Sequence, residues 1–593
     1  MLSQQDVIRS LPNHLQPYVA TQDYSRYSPR DHAVWRFLLY QLSENLASTA
    51  EKIYSQGLIE TGIGLEKIPK IEEINQALQQ IGWRAVVVDG FLPPAIFMEF
   101  QALKVLVIAV DIRTINHMLY TPAPDIVHES AGHAPFIIDV DYAEFLQRFG
   151  ELGMRAISNK GDIDVYNAIR HLSIIKGDDS ASAEAIQGAE ISLKEAISAN
   201  NVPSESALLS RLHWWTVEYG LVGTIDNYKI FGAGLLSSLG ESVDCLDDKK
   251  VIKKTLTVDA IKTKYDITEQ QPNLFVTKNC RHLSQVLEEF AHQMCCVRGG
   301  AEALNRAIDA ETVNTCVLNS EIEISGQFSN LISDAVGNPI YLQTCGPTQL
   351  AYQSVELDNQ GIEYHTSGYG SPIGKLQGME RCLSVHTVDE LKQYAIAINQ
   401  PIRLEFLSGI VVSGVLIGIT RREQKNVLFS IQQCTVKLGD GSLLFHPDWG
   451  VYDMAIGHSI SSVYGGSADK TAYPLYTSIE QSTPDLIVDK ATEELFFCYA
   501  KLRCLREEPK KNIKAARELI SHIEKQYANE WLLIFEALEL SILFKLESES
   551  AQRLKEQLLI LQKNSNRETA QLIDYGLKRF SSLKSQHPLA QPC

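Results

Sequence analysis

The stretch YTPAPDIVHESAGHAPF (residues 120–136) places His128, Glu129 and His133 at the start of a helix opened by two prolines and Asp125. Two histidines four residues apart, as in a zinc protease motif, stand about 40° apart around an α-helix, whereas five residues separate His128 from His133, about 140° on an ideal one. The two rings therefore meet on one metal only if the helix ends or distorts, and the glycine at 132 is where an ending is cheap. This spacing favours a metal site and weakens the protease reading. Working outward, the third donor is Glu218, an acidic residue inside the aromatic and apolar LHWWTVEYGL (212–221), where a carboxylate needs a partner. Two imidazoles and one carboxylate make the facial set of non-haem Fe(II) oxygenases, with positions left open for dioxygen. Zinc accepts the same donors, and two packed core histidines with a salt-bridged glutamate satisfy the pattern as well.

The 593 residues carry 72 acidic against 54 Lys and Arg side chains, a net charge of -18 that repels phosphate backbones and anionic lipid, so neither nucleic acid nor membrane is an expected partner. With 45% hydrophobic and 21% charged residues the composition is that of a folded globular chain. Eleven cysteines without metal or redox spacing fit a reducing compartment. The longest apolar runs, VLVIAV (105–110) and GIVVSGVLIGI (409–419), are too short to span a bilayer. The amino terminus lacks a basic start followed by an apolar stretch. A cytoplasmic location is expected.

Helical periodicity dominates the first half, in WRFLLYQLSENLASTAEKIYS (35–55) and IEEINQALQQIGW (71–83), with a polar helical insertion over about 160–204. Alternating and β-branched runs such as TQLAYQSVEL and NVLFSIQQCTVKL follow, and helical patterns return after Asp485. The chain thus divides into an extension (1–29), a mainly α catalytic domain (30–318), a β-rich domain of unknown role (319–483) and a helical domain (484–593), a multidomain fold. Three further signals read as local structure: HTSGYGSPIG (365–374) as a surface loop, FHPDWG (445–450) as a turn with His446 and Asp448 but no third ligand, and TRREQK (420–425) as a hairpin tip.

In order, YTPAPDIVHESAGHAPF, WWTVEYGL (214–221) and FGAGLLSSLGE (231–241) resemble the catalytic domain of the pterin-dependent aromatic amino acid hydroxylases. The resemblance extends to IPKIEEINQALQQIGWRAV (68–86) and YDITEQQPNLFV (265–276) and covers roughly residues 25–300. It implies a monooxygenase using Fe(II), a tetrahydropterin and O2 to hydroxylate the ring of a free aromatic amino acid, most closely L-phenylalanine to L-tyrosine. A tryptophan or other aromatic hydroxylase, or an iron-site regulatory protein without turnover, are the alternatives. By the same resemblance the iron ligands are His128, His133 and Glu218, and Asp125 orients ligand hydrogen bonds. Arg113 grips the substrate carboxylate, Thr121 and Ser237 help to place the amino acid, and Pro124, Trp214 and Tyr219 wall the aromatic pocket. The pterin region comprises Val88, Gly90, Leu92 and Phe97 of VVVDGFLPPAIF (86–97), with Glu129 and His213.

The chain departs from the family at several points. Phe91, Pro93, Pro94 and Ala95 replace polar residues of the pterin loop, His213 stands where tyrosine is usual, and Ala123 replaces a glutamate. Too few residues precede Arg30 for the family's regulatory domain, and nothing after Asn319 resembles its tetramerisation arm. Self-association or a protein partner through 319–593 is expected instead.

Overall fold

A computed structural model describes residues 3–90, 92–119, 124–177, 181–267, 269–476, 489–508, 512–546 and 548–583. The first long helix, Pro29–Leu46, starts where Ser28 and Asp31 cap each other's backbone and Pro29 fits the first turn. It stops short of the expected residue 55. A break precedes a separate helix, Ile53–Glu60. The run IEEINQALQQIGW forms the helix Ile71–Leu78 and a 3₁₀ turn closed by the left-handed Gly82. Arg84–Val88 then pairs in parallel with Val105–Ala109, and Pro94–Ala102 is the crossover helix between them. The described part of the expected extension, residues 3–29, packs into the domain, because Val7, Leu11, Leu15 and Tyr18 bury their side chains against this two-stranded sheet and its helix.

The helix Val140–Gly153 lies so close to Pro94–Ala102 that a Cβ on Gly150 would sit 2.5 Å from the carbonyl oxygen of Met98. The insertion is a helical pair, Lys160–Gly177 and Ala183–Ala199, with its own small apolar cluster of Leu172, Ala189 and Leu193. A four-stranded sheet in the order Asn227–Ile230, Gly220–Thr224, Asn273–Thr277, Ile252–Thr255 completes the first half.

Two further sheets, mainly antiparallel hairpins, follow. One carries Val313–Leu318, Ile322–Ser333 and Pro339–Tyr352, with Ile460–Gly465 returning to pair against Val313–Leu318; the other is built on Gln400–Glu405, Val411–Arg422 and Lys425–Lys437. The expected boundary at 318/319 falls inside this unit. The helix Gly300–Ala310 and the strand Val313–Leu318 already bury Leu304, Ala307 and Cys316 in its core. HTSGYGSPIG is not a surface loop: Gly370–Pro372 pairs with Pro339–Tyr352, and Tyr369, Ser371, Pro372 and Ile373 are buried. TRREQK does form the hairpin tip, with Arg422 opposite Lys425.

The tail helices do not stand apart either. Trp531–Leu543 is apolar almost all round and therefore buried, sharing one core with Pro29–Leu46. Phe37 packs edge-on against Trp531 and Phe535 at 5.3 and 5.0 Å. Beside them Arg36 bonds Glu536, Glu539 and Glu66, and Arg579 joins Glu539 to Glu44. No helix among the described residues is long and apolar enough to cross a membrane.

One buried group of this core makes stability depend on acidity. His32 lies among Tyr24, Tyr27 and the Ile68 amide, which donates to its Nδ1 at 3.3 Å, so the neutral ring is the one accommodated. Burial, with Arg503 and Lys67 adding, brings it from 6.5 down to about 4. Between those values the unfolded chain binds a proton that the folded one does not, so unfolding free energy falls as pH falls from about 6.5 towards 4. Denaturant titrations across pH 7 to 5 should show this slope. It should flatten in His32→Gln, and an equal slope in that variant would rule the histidine out as its source.

Candidate metal centre

The helix that begins at Ile126 does distort, and it does so throughout. His128–His133 is a π-helix, in which i→i+5 bonding brings residues five apart about one turn round, and this is what aligns the two histidines. Gly132 does not end it. The glycine allows a close approach instead, since a Cβ there would meet the carbonyl oxygen of Ala233 at 2.7 Å. The second ligand segment is distorted in the same way: Trp214–Glu218 is π-helical, closed by the Tyr219 amide on the Trp214 carbonyl at 2.9 Å.

The three donors converge. His133 Nε2 lies 3.1 Å from His128 Nε2, and Glu218 places one oxygen 3.2 Å from His128 Nε2 and the other 3.3 Å from His133 Nε2. Metal bonds of about 2.0–2.2 Å set at right angles separate their donors by roughly 3 Å, so these distances fit adjacent positions of one ion. Among the described residues this is the only such cluster of three; His446 and Asp448 lie together in an exposed turn without a third donor. Burial opposes the Glu218 charge, yet His133 and His128 hold its carboxyl well below the usual range, so it is a carboxylate ready to ligate.

The surroundings of the triad reassign two expected roles. Ser237 Oγ donates to the Ala233 carbonyl at 2.8 Å and lies 3.0 Å from His128 Nδ1, which leaves its lone pair to accept the Nδ1 proton. That fixes the tautomer whose Nε2 lone pair faces the other donors. Asp125, expected to orient the ligand ring, accepts instead from the His128 backbone amide at 3.0 Å and from Arg113, through Nε at 2.8 Å and the terminal nitrogen at 2.7 Å. Arg113 is 1% exposed in its side chain and gives a further bond to the Ser237 carbonyl at 3.0 Å.

A sequence profile described as biopterin-dependent aromatic amino acid hydroxylase matches residues 18–177 and 179–335, more than half of the chain. The chain belongs to this family. It is 29% identical over 277 residues to the phenylalanine-4-hydroxylase of Pseudomonas aeruginosa, covering 46% of this chain and 88% of that one. To the enzyme of the same name from Dictyostelium discoideum it is 30% identical over 270 residues, covering 45% and 51%. A solved structure of Chromobacterium violaceum phenylalanine hydroxylase with Fe(III) aligns at 24% identity over 49% of this chain and 91% of that one, with a TM-score of 0.38.

In this hydroxylase-family chain the aromatic wall next to the triad is a stack. Trp214 lies between Tyr219 at 4.7 Å and Tyr265 at 4.3 Å, the latter nearly parallel, and Tyr219 donates its hydroxyl to buried Glu241 at 3.1 Å. Tyr265 and Glu241 were not singled out from sequence, although both sit in the motifs YDITEQQP and LLSSLGE that carry the resemblance. Pro124 is exposed, and Thr121 lies outside the described residues.

On the other flank, Phe97 and Phe149 turn their rings edge-on to His213, at 6.2 and 5.1 Å, and His213 Nδ1 approaches Glu218 to 3.8 Å. Its Nε2 is buried with no protein partner among the described residues. Burial lifts Glu129 to about 8; His133, at 3.9 Å, opposes the shift, and Glu218 and Asp125 add to it. An aromatic ring and a buried imidazole nitrogen without a protein partner among the described residues suit a flat heterocycle with a polar edge. Gly90, with φ +82° and open space around its Cα, lets a ligand approach its backbone. Val88 belongs to the apolar cluster shared with the amino-terminal arm, and Leu92 and Phe97 pack against that cluster.

Proposed function

We propose that the protein is an Fe(II)- and tetrahydropterin-dependent monooxygenase converting L-phenylalanine to L-tyrosine. The observation that carries this reading is the convergence of two imidazoles and one carboxylate on two π-helical segments, beside the Trp214 stack. When bound, iron and reduced pterin together supply the activation of dioxygen, one atom passing to the ring and the other to the pterin. The protein's own part is placement. His128, His133 and Glu218 hold the metal, Ser237 keeps His128 in the ligating tautomer, and Asp125 fixes Arg113 for the amino acid's carboxylate. Phe97, Glu129 and His213 take the pterin, and the buried aromatic wall limits water around the reacting ring.

Two residues support phenylalanine as substrate. By the family resemblance, Trp214, here stacked on Tyr265, stands where a bulky indole substrate would be crowded, and half-buried Ile267 stands where an acidic residue would favour a phenol. A pocket that only fails to bond a hydroxyl rejects it by about a hundredfold at most. The specificity constant should therefore rank phenylalanine above tyrosine and tryptophan. Anaerobic loading with Fe(II), followed by reduced pterin, oxygen and the three amino acids in competition, tests this directly. Absence of any hydroxylated product would point to a binding protein without turnover, and a highest value for tryptophan would overturn the ranking.

A further inference from the structure

Outside the site, the feature that stands out is a buried carboxylate held from two sides. The turn after the strand Ile460–Gly465 is tied to its own sheet at every step. Ala468 donates its amide to Ser325 Oγ and Asp469 its amide to Gln349 Oε1, both at 3.0 Å, and the Asp469 carboxylate accepts the amides of Glu356, Thr471 and Ala472. Tyr473 donates its hydroxyl to the Pro347 carbonyl at 3.1 Å. From this fixed turn Lys470 reaches out of the β-rich unit, and its Nζ donates to Glu99 Oε2 at 2.7 Å. The other Glu99 oxygen is 2.8 Å from His14 Nε2 of the amino-terminal arm. A second tie joins the same parts, where Tyr18 donates its hydroxyl to the Tyr476 carbonyl at 3.1 Å.

Glu99 is 8% exposed in its side chain and Lys470 21%. Burial opposes the Glu99 charge, and His14 with Lys470 holds its carboxyl below the usual range. A charge so enclosed is costly unless both oxygens are bonded, and a helix needing only to pack would be served by an apolar residue. The helix in question is Pro94–Ala102, which carries Phe97. Two residues separate Phe97 from Glu99, about 200° around the helix, so a pin on Glu99 and the ring of Phe97 lie on nearly opposite sides. A third side is fixed by the close approach at Gly150 and Gly153.

We propose that Lys470, acting through Glu99, is a positioning residue for the pterin: the β-rich unit holds the helix that aims Phe97 and so sets pterin affinity. This rests on the function proposed above. It gives residues beyond the family's catalytic region a part in the site that the shared motifs do not contain.

The test is calorimetric titration of the full-length, iron-loaded protein with tetrahydropterin under strict exclusion of oxygen. Losing one charge-assisted hydrogen bond that acts at one remove should weaken pterin binding about fivefold in Lys470→Met. Iron content and the dissociation constant for phenylalanine should stay unchanged, and Lys470→Arg should restore pterin affinity. Lys470→Gln serves the same purpose if the methionine variant does not fold. Because the lysine acts through the glutamate, Lys470→Met combined with Glu99→Gln should bind pterin no more weakly than Glu99→Gln alone. An unchanged pterin constant in Lys470→Met, an equal loss for phenylalanine, or additive effects in the double variant would overturn the proposal. Wild-type protein that binds no pterin would overturn the proposed function together with it, whereas wild-type binding that Lys470→Met leaves untouched rejects the positioning role alone.

Discussion

His133→Ala and Glu218→Ala should lose iron and turnover together. Each removes one of three donors that lie within 3.3 Å of one another, and two neighbouring groups among the described residues stand farther off: Glu129 Oε2 is 3.9 Å from His133 Nε2, and His213 Nδ1, its ring hemmed in by Phe97 and Phe149, is 3.8 Å from Glu218. Ser237→Ala grades the same argument. It keeps every donor but removes the acceptor on His128 Nδ1, so the imidazole can present its protonated nitrogen to the metal; iron affinity should fall by about 10- to 100-fold without being abolished. Metal analysis after dialysis against a graded chelator, run alongside product formation, separates the two classes. Full iron content in His133→Ala would mean that the metal sits elsewhere, and an unchanged affinity in Ser237→Ala would mean that the hydroxyl serves only the Ala233 carbonyl.

The contrast between donors and their supports marks what could be read in advance. His128, His133 and Glu218 were legible as candidate ligands from residue type and spacing, which left zinc and a satisfied core open, and the family resemblance singled out iron. The distortion that unites them was half legible: a spacing of five demands it, but nothing local in HESAGH or WWTVE distinguishes a π-helix from a helix end. Which of Asp125 and Ser237 serves the ligand ring was not legible, because that depends on where the segment after Gly232 lands, a tertiary fact. The same holds for domain limits. WLLIFEALELSILF (531–544) has no wet face and had to be covered, yet the sequence does not name Pro29–Leu46 as its cover. In HTSGYGSPIG the glycines and serines mask a strand of only three residues, too short for periodicity to register. The pairing of Lys470 with Glu99, 371 residues apart, leaves no trace in local pattern.

Asp125 bonds both Arg113 and the backbone of His128, and its removal should separate stability from binding. Its two oxygens accept the Arg113 amide, two guanidinium N–H groups and the His128 amide, all buried, and burial notwithstanding, Arg113 keeps the carboxyl ionised. Asp125→Ala leaves the guanidinium enclosed without a counter-charge, a loss on the order of 3–5 kcal/mol in unfolding free energy, and on the role proposed for Arg113 it should also weaken phenylalanine binding by releasing the guanidinium from its fixed orientation. Arg113→Lys keeps the charge but loses the fork, so its main effect should be a higher KM for phenylalanine, by about 1.5–3 kcal/mol for one charge-assisted hydrogen bond, with a smaller loss of stability. The decisive variant carries both Asp125→Ala and Arg113→Met. Removing both charges relieves the stranded cation, so the double variant should be more stable than Asp125→Ala alone, while phenylalanine binding should remain as poor as in the worse single variant. Denaturant unfolding and isothermal titration with phenylalanine on iron-loaded protein read the two quantities independently. Recovery of stability without recovery of binding identifies Arg113 as the carboxylate's holder and Asp125 as its anchor; recovery of both would place substrate recognition on another cation.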